Sequence, residues 1–343
     1  MTLQESFGIE FPLVQAPMAG VQGSALANAV SNAGGLGSLP CAMLGPAGIA
    51  DEIAAIRAQT AKPFNVNFFC HTTPPVEPDR EAAWHAVLAP YYREFDIDPA
   101  SIKPGPGRAP FTAEAAVVIE ATRPAVVSFH FGLPADELLG RVRATGAKIV
   151  ASATTVDEAR WLEARGVDAI IAQGLEAGGH RGIFLTTDLT TQVGTLALVP
   201  QVVRAVRVPV IAAGGIASAQ AVRAMLALGA AGVQVGTSYL RCPEATTSAI
   251  HRAALASDAA RHTAVTNVFT GRPARGIVNR IVREIGPIAA RAPAFPLAAA
   301  ALAPLRAAAE RRGSGDFSPL WSGQDASGCR EIPAGALTRE LIA

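Results

Sequence analysis

A short apolar run leads directly into a glycine-rich loop in the segment Val167-Asp168-Ala169-Ile170-Ile171-Ala172-Gln173-Gly174-Leu175-Glu176-Ala177-Gly178-Gly179-His180-Arg181-Gly182. Residues 167–172 are typical of a parallel strand that is buried on both faces. Glycines after such a strand allow the backbone to bend sharply and to approach a flat ligand or a phosphate. The segment therefore predicts a strand of an α/β protein with a ligand-binding loop at its carboxyl end.

Seven other runs of this kind occur along the chain, and helical patterns separate them. The eight predicted strands are residues 13–16, 36–39, 64–69, 125–129, 148–152, 167–172, 208–213 and 231–235. Eight parallel strands with helices between them are the number that closes a barrel. We therefore expect an α/β fold, a (β/α)8 TIM barrel, with an additional helical C-terminal segment near the barrel mouth.

Two regions depart from the βα rhythm. We expect residues 1–240 to form the barrel, with a proline-rich insertion at about residues 71–110. A connection of that length usually covers a site or docks a partner. Residues 241–343 are predicted to be mainly helical, with helices at 246–257, 277–285 and 297–312, and to cover the active site.

Composition and charge exclude several classes of protein. Half of the 343 residues are hydrophobic and 17% are charged, which is enough apolar material for a large core. Lys and Arg total 29 against 28 for Asp and Glu. Without a basic tract or an apolar run of membrane-spanning length, we expect no nucleic acid partner and no membrane association.

The cysteine pattern and the N-terminus point to one compartment. Cys41, Cys70, Cys242 and Cys329 are far apart, with no CxxC pair and no Cys/His cluster at metal-binding spacing. They are most simply reduced thiols. Because residues 1–6 also lack a secretory signal pattern, we expect a cytoplasmic protein without a metal site.

Glycines after the last three strands predict a phosphate site. The pairs are Gly178-Gly179, Gly214-Gly215 and Gly236-Thr237. Barrels commonly bind phosphate through backbone N–H groups after strands seven and eight. A Cβ at Gly178 or Gly215 is expected to crowd that phosphate. Since no pair fits the dinucleotide or Walker patterns, a mononucleotide is favoured; the alternative is that the glycines only turn the chain.

Two amides and two histidines lie at other strand ends. Asn67 and Gln173 can donate and accept, which suits the edge of a flavin or purine ring, although each could instead satisfy neighbouring backbone groups. His180 is predicted to be a base, since its ordinary pKa is near neutral; an incidental surface histidine is the alternative. His130 could contact substrate or a neighbouring loop. The other histidines show no clustering and are interpreted as structural or surface residues: His71, His85, His251 and His262.

A set of short motifs resembles the nitronate monooxygenases, formerly called 2-nitropropane dioxygenases. The motifs are residues 15–20 (QAPMAG), 64–69 (FNVNFF), 128–132 (SFHFG), 172–182 (AQGLEAGGHRG), 213–216 (AGGI), 234–237 (QVGT), 271–276 (GRPARG) and 320–324 (LWSGQ). No single motif is specific, but the combination covers nearly the whole chain.

The resemblance implies an FMN-dependent enzyme that oxidises alkyl nitronates with O2 to carbonyl compounds and nitrite or nitrate, through a flavin semiquinone. Propionate 3-nitronate is the expected natural substrate. His180 would be the catalytic base on neutral nitroalkanes, and no metal would be required. The residues that would bind FMN are Ala16, Pro17, Met18, Asn67, Gln173, Gly178, Gly179, Gly214, Gly215, Gln234, Gly236 and Thr237.

Three alternatives remain open. An FMN-dependent enoyl-ACP reductase using NAD(P)H shares the barrel and a similar Glu-Ala-Gly-Gly-His segment, but Gln173 stands where an acidic residue is expected in such reductases. A barrel that binds a phosphorylated substrate without flavin, or one that has become a binding or scaffold protein, would also retain glycine loops. The sequence leaves the oligomeric state open, a homodimer included.

Overall fold

Eight parallel strands form a nearly closed barrel in the computed structural model, which describes residues 2–102 and 107–343. Residues 103–106 of the predicted insertion lie outside the described residues. Three further strands form a small antiparallel sheet. In chain order the strands are β1 (Leu13–Gln15), β2 (Gly37–Pro40), β3 (Phe64–Phe69), β4 (Val126–His130), β5 (Lys148–Ala153), β6 (Ala169–Gln173), β7 (Gly179–His180), β8 (Val210–Ala213), β9 (Gly232–Val235), β10 (Thr263–Thr266) and β11 (Ala274–Ile277).

The barrel order is β1-β9-β8-β6-β5-β4-β3-β2, and every strand pair is parallel. A bridge between Val14 and Leu36 joins the first and last strands. There the Leu36 N–H donates to the Leu13 carbonyl over 2.8 Å, and the Gln15 N–H donates to the Leu36 carbonyl over 2.9 Å. The predicted eight-stranded barrel is confirmed, with shifts of one or two residues at several strand ends.

Thirteen α-helices lie in the part of the chain that the structure describes, and none is long and apolar enough to cross a membrane. They are α1 (Leu3–Phe7), α2 (Ser24–Asn32), α3 (Pro46–Arg57), α4 (Pro78–Glu94), α5 (Ala113–Thr122), α6 (Asp136–Ala144), α7 (Val156–Ala164), α8 (Thr195–Ala205), α9 (Ala219–Ala227), α10 (Ala249–Ala256), α11 (Arg280–Ile285), α12 (Ala298–Arg311) and α13 (Ala334–Ile342).

The last helix completes the outer wall of the barrel. Helix α13 packs against α2 and α9, and its Leu337 and Leu341 join the main core. It therefore occupies the place of the eighth barrel helix, about one hundred residues after β9. The predicted division at residue 240 separates this helix from the barrel against which it packs, because the long connection before it hides the βα rhythm.

A second hydrophobic core lies outside the barrel. It joins the insertion after β3 to the chain after β10, through buried side chains such as Trp84, Tyr92, Val268, Leu305 and Phe317. We call residues 78–102 and 263–321 the cap. Large apolar side chains from two distant segments are removed from water here. This burial stabilises the cap through a core separate from that of the barrel.

The cap contains strands where the sequence pattern indicated helix or loop. The prediction of a helix over 277–285 is wrong at its start, since β11 continues to Ile277 and α11 begins at Arg280. Strand β11 pairs antiparallel with β10 on one side and with β7 on the other. Its pairing with β7 is long-range and could not be indicated by local periodicity, whereas β10 lies only a short loop before β11.

Local capping explains where individual barrel helices begin. The Ser218 hydroxyl accepts a hydrogen bond from the Ala221 N–H over 3.2 Å at the start of α9, as the sequence predicted. Such a cap satisfies one of the free N–H groups of the first turn. It fixes the entry to α9 directly after the Gly214-Gly215 turn.

Candidate active site

A cavity opens at the carboxyl ends of the barrel strands and extends towards the cap. Its walls are formed by residues from the barrel strand ends and, on the cap side, by Trp321. All fourteen residues singled out from the sequence line it: Ala16, Pro17, Met18, Asn67, His130, Gln173, Gly178, Gly179, His180, Gly214, Gly215, Gln234, Gly236 and Thr237.

The glycine loops on the barrel side expose backbone donors. Gly214 and Gly215 have φ of +122° and +66°, which side chains with a Cβ rarely adopt. Within the described chain, the N–H groups of Gly214, Gly215 and Gly236 donate to no backbone acceptor. A Cβ on Gly179, with φ +72°, would meet no atom within 4 Å. These loops can therefore surround an anionic group with unpaired N–H donors.

Gly178 is small for a different reason from the one the sequence suggested. A Cβ there would lie 2.5 Å from the Gly323 nitrogen and 2.6 Å from the Ser322 carbonyl carbon. A hydrogen bond stabilises this packing of the two segments: the Gln324 N–H donates to the Glu176 carbonyl over 2.9 Å. Gly178 therefore permits the glycine loop to pack against the backbone of residues 322–324.

The three amides in the cavity have different environments. The Gln173 amide holds its own loop, because Nε2 donates to the His180 carbonyl over 3.0 Å and Oε1 accepts from the Gly182 N–H over 2.7 Å. Asn67 donates to the Ser128 hydroxyl over 2.9 Å. The Gln234 Oε1 atom is buried and has no partner among the described residues. An orphaned acceptor on the cavity wall points to a donor on a ligand.

His180 is buried and belongs to the cap sheet by hydrogen bonding. It lies on β7, where it pairs with Ala274 of β11. Its Nε2 lies 2.9 Å from the Thr270 hydroxyl, which in turn can donate to the Arg272 carbonyl 3.4 Å away. A hydroxyl that donates to this carbonyl accepts from Nε2–H, and this tautomer leaves the lone pair on Nδ1.

The charge state of His180 suits a proton acceptor. Burial lowers the pKa of His180 well below its ordinary value, and the positive charge of Arg108 lowers it further. Both effects penalise the imidazolium form. The ring is therefore neutral at physiological pH and available as a base.

His130 supports His180 rather than facing a substrate. Its Nε2 lies 3.2 Å from the His180 carbonyl, which can only accept, so Nε2 carries the proton. Its Nδ1 then accepts from the Ser152 hydroxyl. Burial lowers the pKa of His130 to about 3. Because both ring nitrogens have protein partners, the neighbouring-loop interpretation of His130 is favoured over the substrate interpretation.

Two buried arginines hold the glycine–histidine loop in place, and the sequence offered no signal for either. Arg181 donates to the Gly174 carbonyl over 2.6 Å and to the Gln173 carbonyl over 2.8 Å. Arg275 of β11 donates to the Leu175 carbonyl over 2.9 Å. A buried arginine cannot be told from a surface arginine by residue type. Three consecutive carbonyls are thereby fixed before the chain reaches His180.

Aromatic rings cover the His180 side of the cavity. The ring centroids of Phe295 and Trp321 lie 5.3 and 5.5 Å from that of His180. His251, which the sequence indicated as structural or surface, is buried and lines the cavity, where its Nε2 lies 3.0 Å from the Trp321 carbonyl. It thus holds the tryptophan backbone. An apolar wall excludes water and strengthens electrostatic interactions inside the cavity.

Comparisons with known proteins match one family model, and solved structures of two differently named proteins share the fold. The family model described as nitronate monooxygenase matches residues 1–343. A nitronate monooxygenase of Pseudomonas aeruginosa is 42% identical, with 98% of this chain and 96% of that protein covered. The structure of nitroalkane oxidase from Streptomyces ansochromogenes has 39% identity and a TM-score of 0.89, covering 99% of this chain and 96% of that one. FabK from Thermotoga maritima has 27% identity and a TM-score of 0.73, covering 100% and 95%.

Proposed function

Because the chain belongs to the nitronate monooxygenase family, we propose that it is an FMN-dependent enzyme that oxidises alkyl nitronates with O2 to carbonyl compounds and nitrite or nitrate. Propionate 3-nitronate is the proposed natural substrate. One observation carries the proposal: the buried, neutral imidazole of His180 and the glycine loops of three strands line the same cavity.

The cavity residues fit an FMN molecule. The N–H groups of Gly214, Gly215 and Gly236 would hold the phosphate, and Gly179 leaves space beside it. The unpartnered Oε1 of Gln234 would accept from a ring N–H. The remaining proposed contacts would line the other parts of the bound molecule: Ala16, Pro17, Met18, Asn67, Gln173, Gly178 and Thr237. When bound there, FMN would supply the electron acceptor for the nitronate.

His180 prepares neutral substrates. A neutral nitroalkane carries an α-proton, and Nδ1 of His180 would remove it to leave the nitronate anion. The proton stays on the imidazole while the anion is oxidised. A substrate that arrives as the nitronate has already lost this proton and depends less on the base.

The surrounding residues keep the base in one orientation. The His180 carbonyl accepts from Gln173 and from His130, and its Nε2 contacts Thr270. The two carbonyl contacts fix the backbone of His180, and the Thr270 contact restricts rotation of the ring, which favours a fixed approach to the substrate carbon. Trp321, which lines the cavity, limits access of water to the same space.

The test compares two reactions of the purified protein. We expect a yellow protein that releases FMN on denaturation, identified by chromatography against authentic FMN and FAD. It should consume O2 with propionate 3-nitronate or ethyl nitronate in the absence of NADH. The alternative, an enoyl-ACP reductase, requires NADH or NADPH oxidation that depends on an enoyl thioester. Thioester-dependent oxidation without nitronate-dependent O2 uptake would reverse the proposal, and a colourless protein that binds no FMN would end it.

A further inference from the structure

Arg108 is held in a fixed place between the barrel and the cap. The N–H of the next residue, Ala109, donates to the Ala42 carbonyl over 2.9 Å, and the Phe111 N–H donates to the Phe69 carbonyl over 2.7 Å. A Cβ on Gly107 would lie 3.3 Å from Pro296 of the cap. With its neighbours in contact with both parts, Arg108 reaches the cavity from a defined position.

The Arg108 guanidinium has no acidic partner in the described part of the chain. The ion pairs formed there involve other arginines. Burial and the positive charge of Arg306 lower the pKa of Arg108, and no carboxylate opposes them. A partly buried cation without a counter-charge is costly unless a ligand supplies one.

Arg108 lines the same cavity as His180. Its charge is the largest electrostatic influence on the imidazole of His180 after burial itself. The other arginine that influences this imidazole, Arg272, is engaged: its guanidinium lies 3.8 Å above the Phe131 ring and donates to the Ile183 carbonyl. Arg108 is therefore a cation on the cavity wall whose guanidinium has no acceptor among the described residues, whereas Arg272, whose Nε is also without a partner, does not line the cavity.

We propose that Arg108 binds a planar anion with two oxygen atoms on the substrate, and so selects anionic nitronates. Two groups share this chemistry: the nitronate itself and a carboxylate elsewhere on the same molecule, as in propionate 3-nitronate. The two parallel N–H groups of a guanidinium match either one. The inference rests on the proposed function, since it names the substrate class of the same site.

Kinetics on the FMN-loaded enzyme separate the two anions. Arg108→Met should raise KM for propionate 3-nitronate by roughly tenfold or more, the usual effect of losing a hydrogen bond to a charged group. If the carboxylate is bound, KM for ethyl nitronate stays unchanged; if the nitronate is bound, both values rise together. Arg108→Lys should raise KM less than Arg108→Met does, because lysine keeps the positive charge but lacks the two parallel N–H groups of the guanidinium. Arg93→Met, an exposed arginine on α4, is the matched control. Unchanged KM for both substrates would overturn the inference.

Binding without turnover provides an independent measurement. Propionate represents the carboxylate and nitrite represents the nitronate group, with propionamide as the neutral control. We expect one or both anions to perturb the flavin spectrum of the wild-type enzyme, with a Kd at least tenfold weaker in Arg108→Met and propionamide unaffected. Equal Kd values in both proteins would contradict the inference, as would release of FMN by the variant, which would make Arg108 a cofactor contact. Anion binding that depends on Arg108 in an enzyme that oxidises no nitronate would keep Arg108 as an anion-binding residue, but it would refute the proposed function and with it the selection of nitronates.

Discussion

The barrel rim, formed by the loops that follow the strands, and the cap line the same cavity with different chemistry. The rim contributes backbone groups, held by glycines with positive φ such as Gly214 and Gly215. The cap contributes side chains: Phe295, Trp321 and Thr270 lie around the imidazole of His180. The rim therefore presents backbone groups to the cavity, whereas the environment of the His180 imidazole depends on how the cap docks. His180 connects the two, since it follows a barrel strand but pairs with a cap strand.

The largest effect is expected from removing the base. His180→Ala should reduce kcat/KM for neutral nitroethane by about 10²-fold or more, the usual contribution of a positioned base. Activity on preformed ethyl nitronate should fall much less, and FMN content should stay unchanged, because the rim is intact. Oxygen uptake with both substrates measures the ratio. His262→Ala, at an exposed position, is the control. Equal losses on both substrates would remove the assigned role.

Displacing residues 322–324 from the glycine loop should have the next largest effect. Gly178→Ala places a Cβ 2.5 Å from the Gly323 nitrogen, so the backbone of residues 322–324 must move. We expect a loss of about 1–3 kcal/mol in the free energy of unfolding, the usual cost of overpacking, together with weaker FMN retention. Urea unfolding and the fraction of released FMN measure both.

A second glycine provides the control for that experiment. Gly140 lies exposed in α6, and a Cβ there would meet no atom within 4 Å. Gly140→Ala should therefore stabilise the protein by about 0.5–1 kcal/mol, because alanine favours helix. A Gly178→Ala protein as stable as wild type would show that the close contact is not needed.

Loss of the cap contact to the base should have a smaller effect. Thr270→Val keeps the shape of the side chain but removes the hydroxyl 2.9 Å from Nε2 of His180. We expect kcat for neutral nitroethane to fall by roughly tenfold, the value of a hydrogen bond of 1–2 kcal/mol, with Thr270→Ser restoring it. The pH profile of the Val variant should also shift, since the tautomer is no longer fixed. An unchanged profile would mean that Thr270 only fills space.

The smallest effect concerns pH and stability. Burial lowers the pKa of His251 to about 4, below the ordinary value of 6.5. Between pH 6.5 and 4 the unfolded chain therefore binds a proton that the folded chain does not, so stability is full above pH 6.5 and falls as pH decreases. His251→Gln should reduce this slope by up to about 1.4 kcal/mol per pH unit. Urea midpoints at pH 7, 6 and 5 measure it; parallel slopes for both proteins would contradict the assignment.

Local pattern was sufficient for the barrel and for the positions of its loops. Each of the eight predicted runs overlaps a barrel strand, and Ser218 begins α9 as expected. The glycine loops and His180 also line one cavity, because the carboxyl ends of parallel strands share one rim. Helix α13 and the pairing of β11 with β7 were missed for the opposite reason: their partners are far away in the chain.

The sequence by itself determined the α/β barrel, the family and the residues of the cavity wall, because strand burial and tight turns leave local signatures in apolar runs and glycines. Only the tertiary structure decided the roles within that wall: that His130 and Gln173 hold the His180 carbonyl, that Gly178 admits residues 322–324, and that Arg108 faces the cavity without an acidic partner among the described residues. These roles depend on burial and on contacts between segments distant in the chain. Neither is encoded in residue type or local spacing.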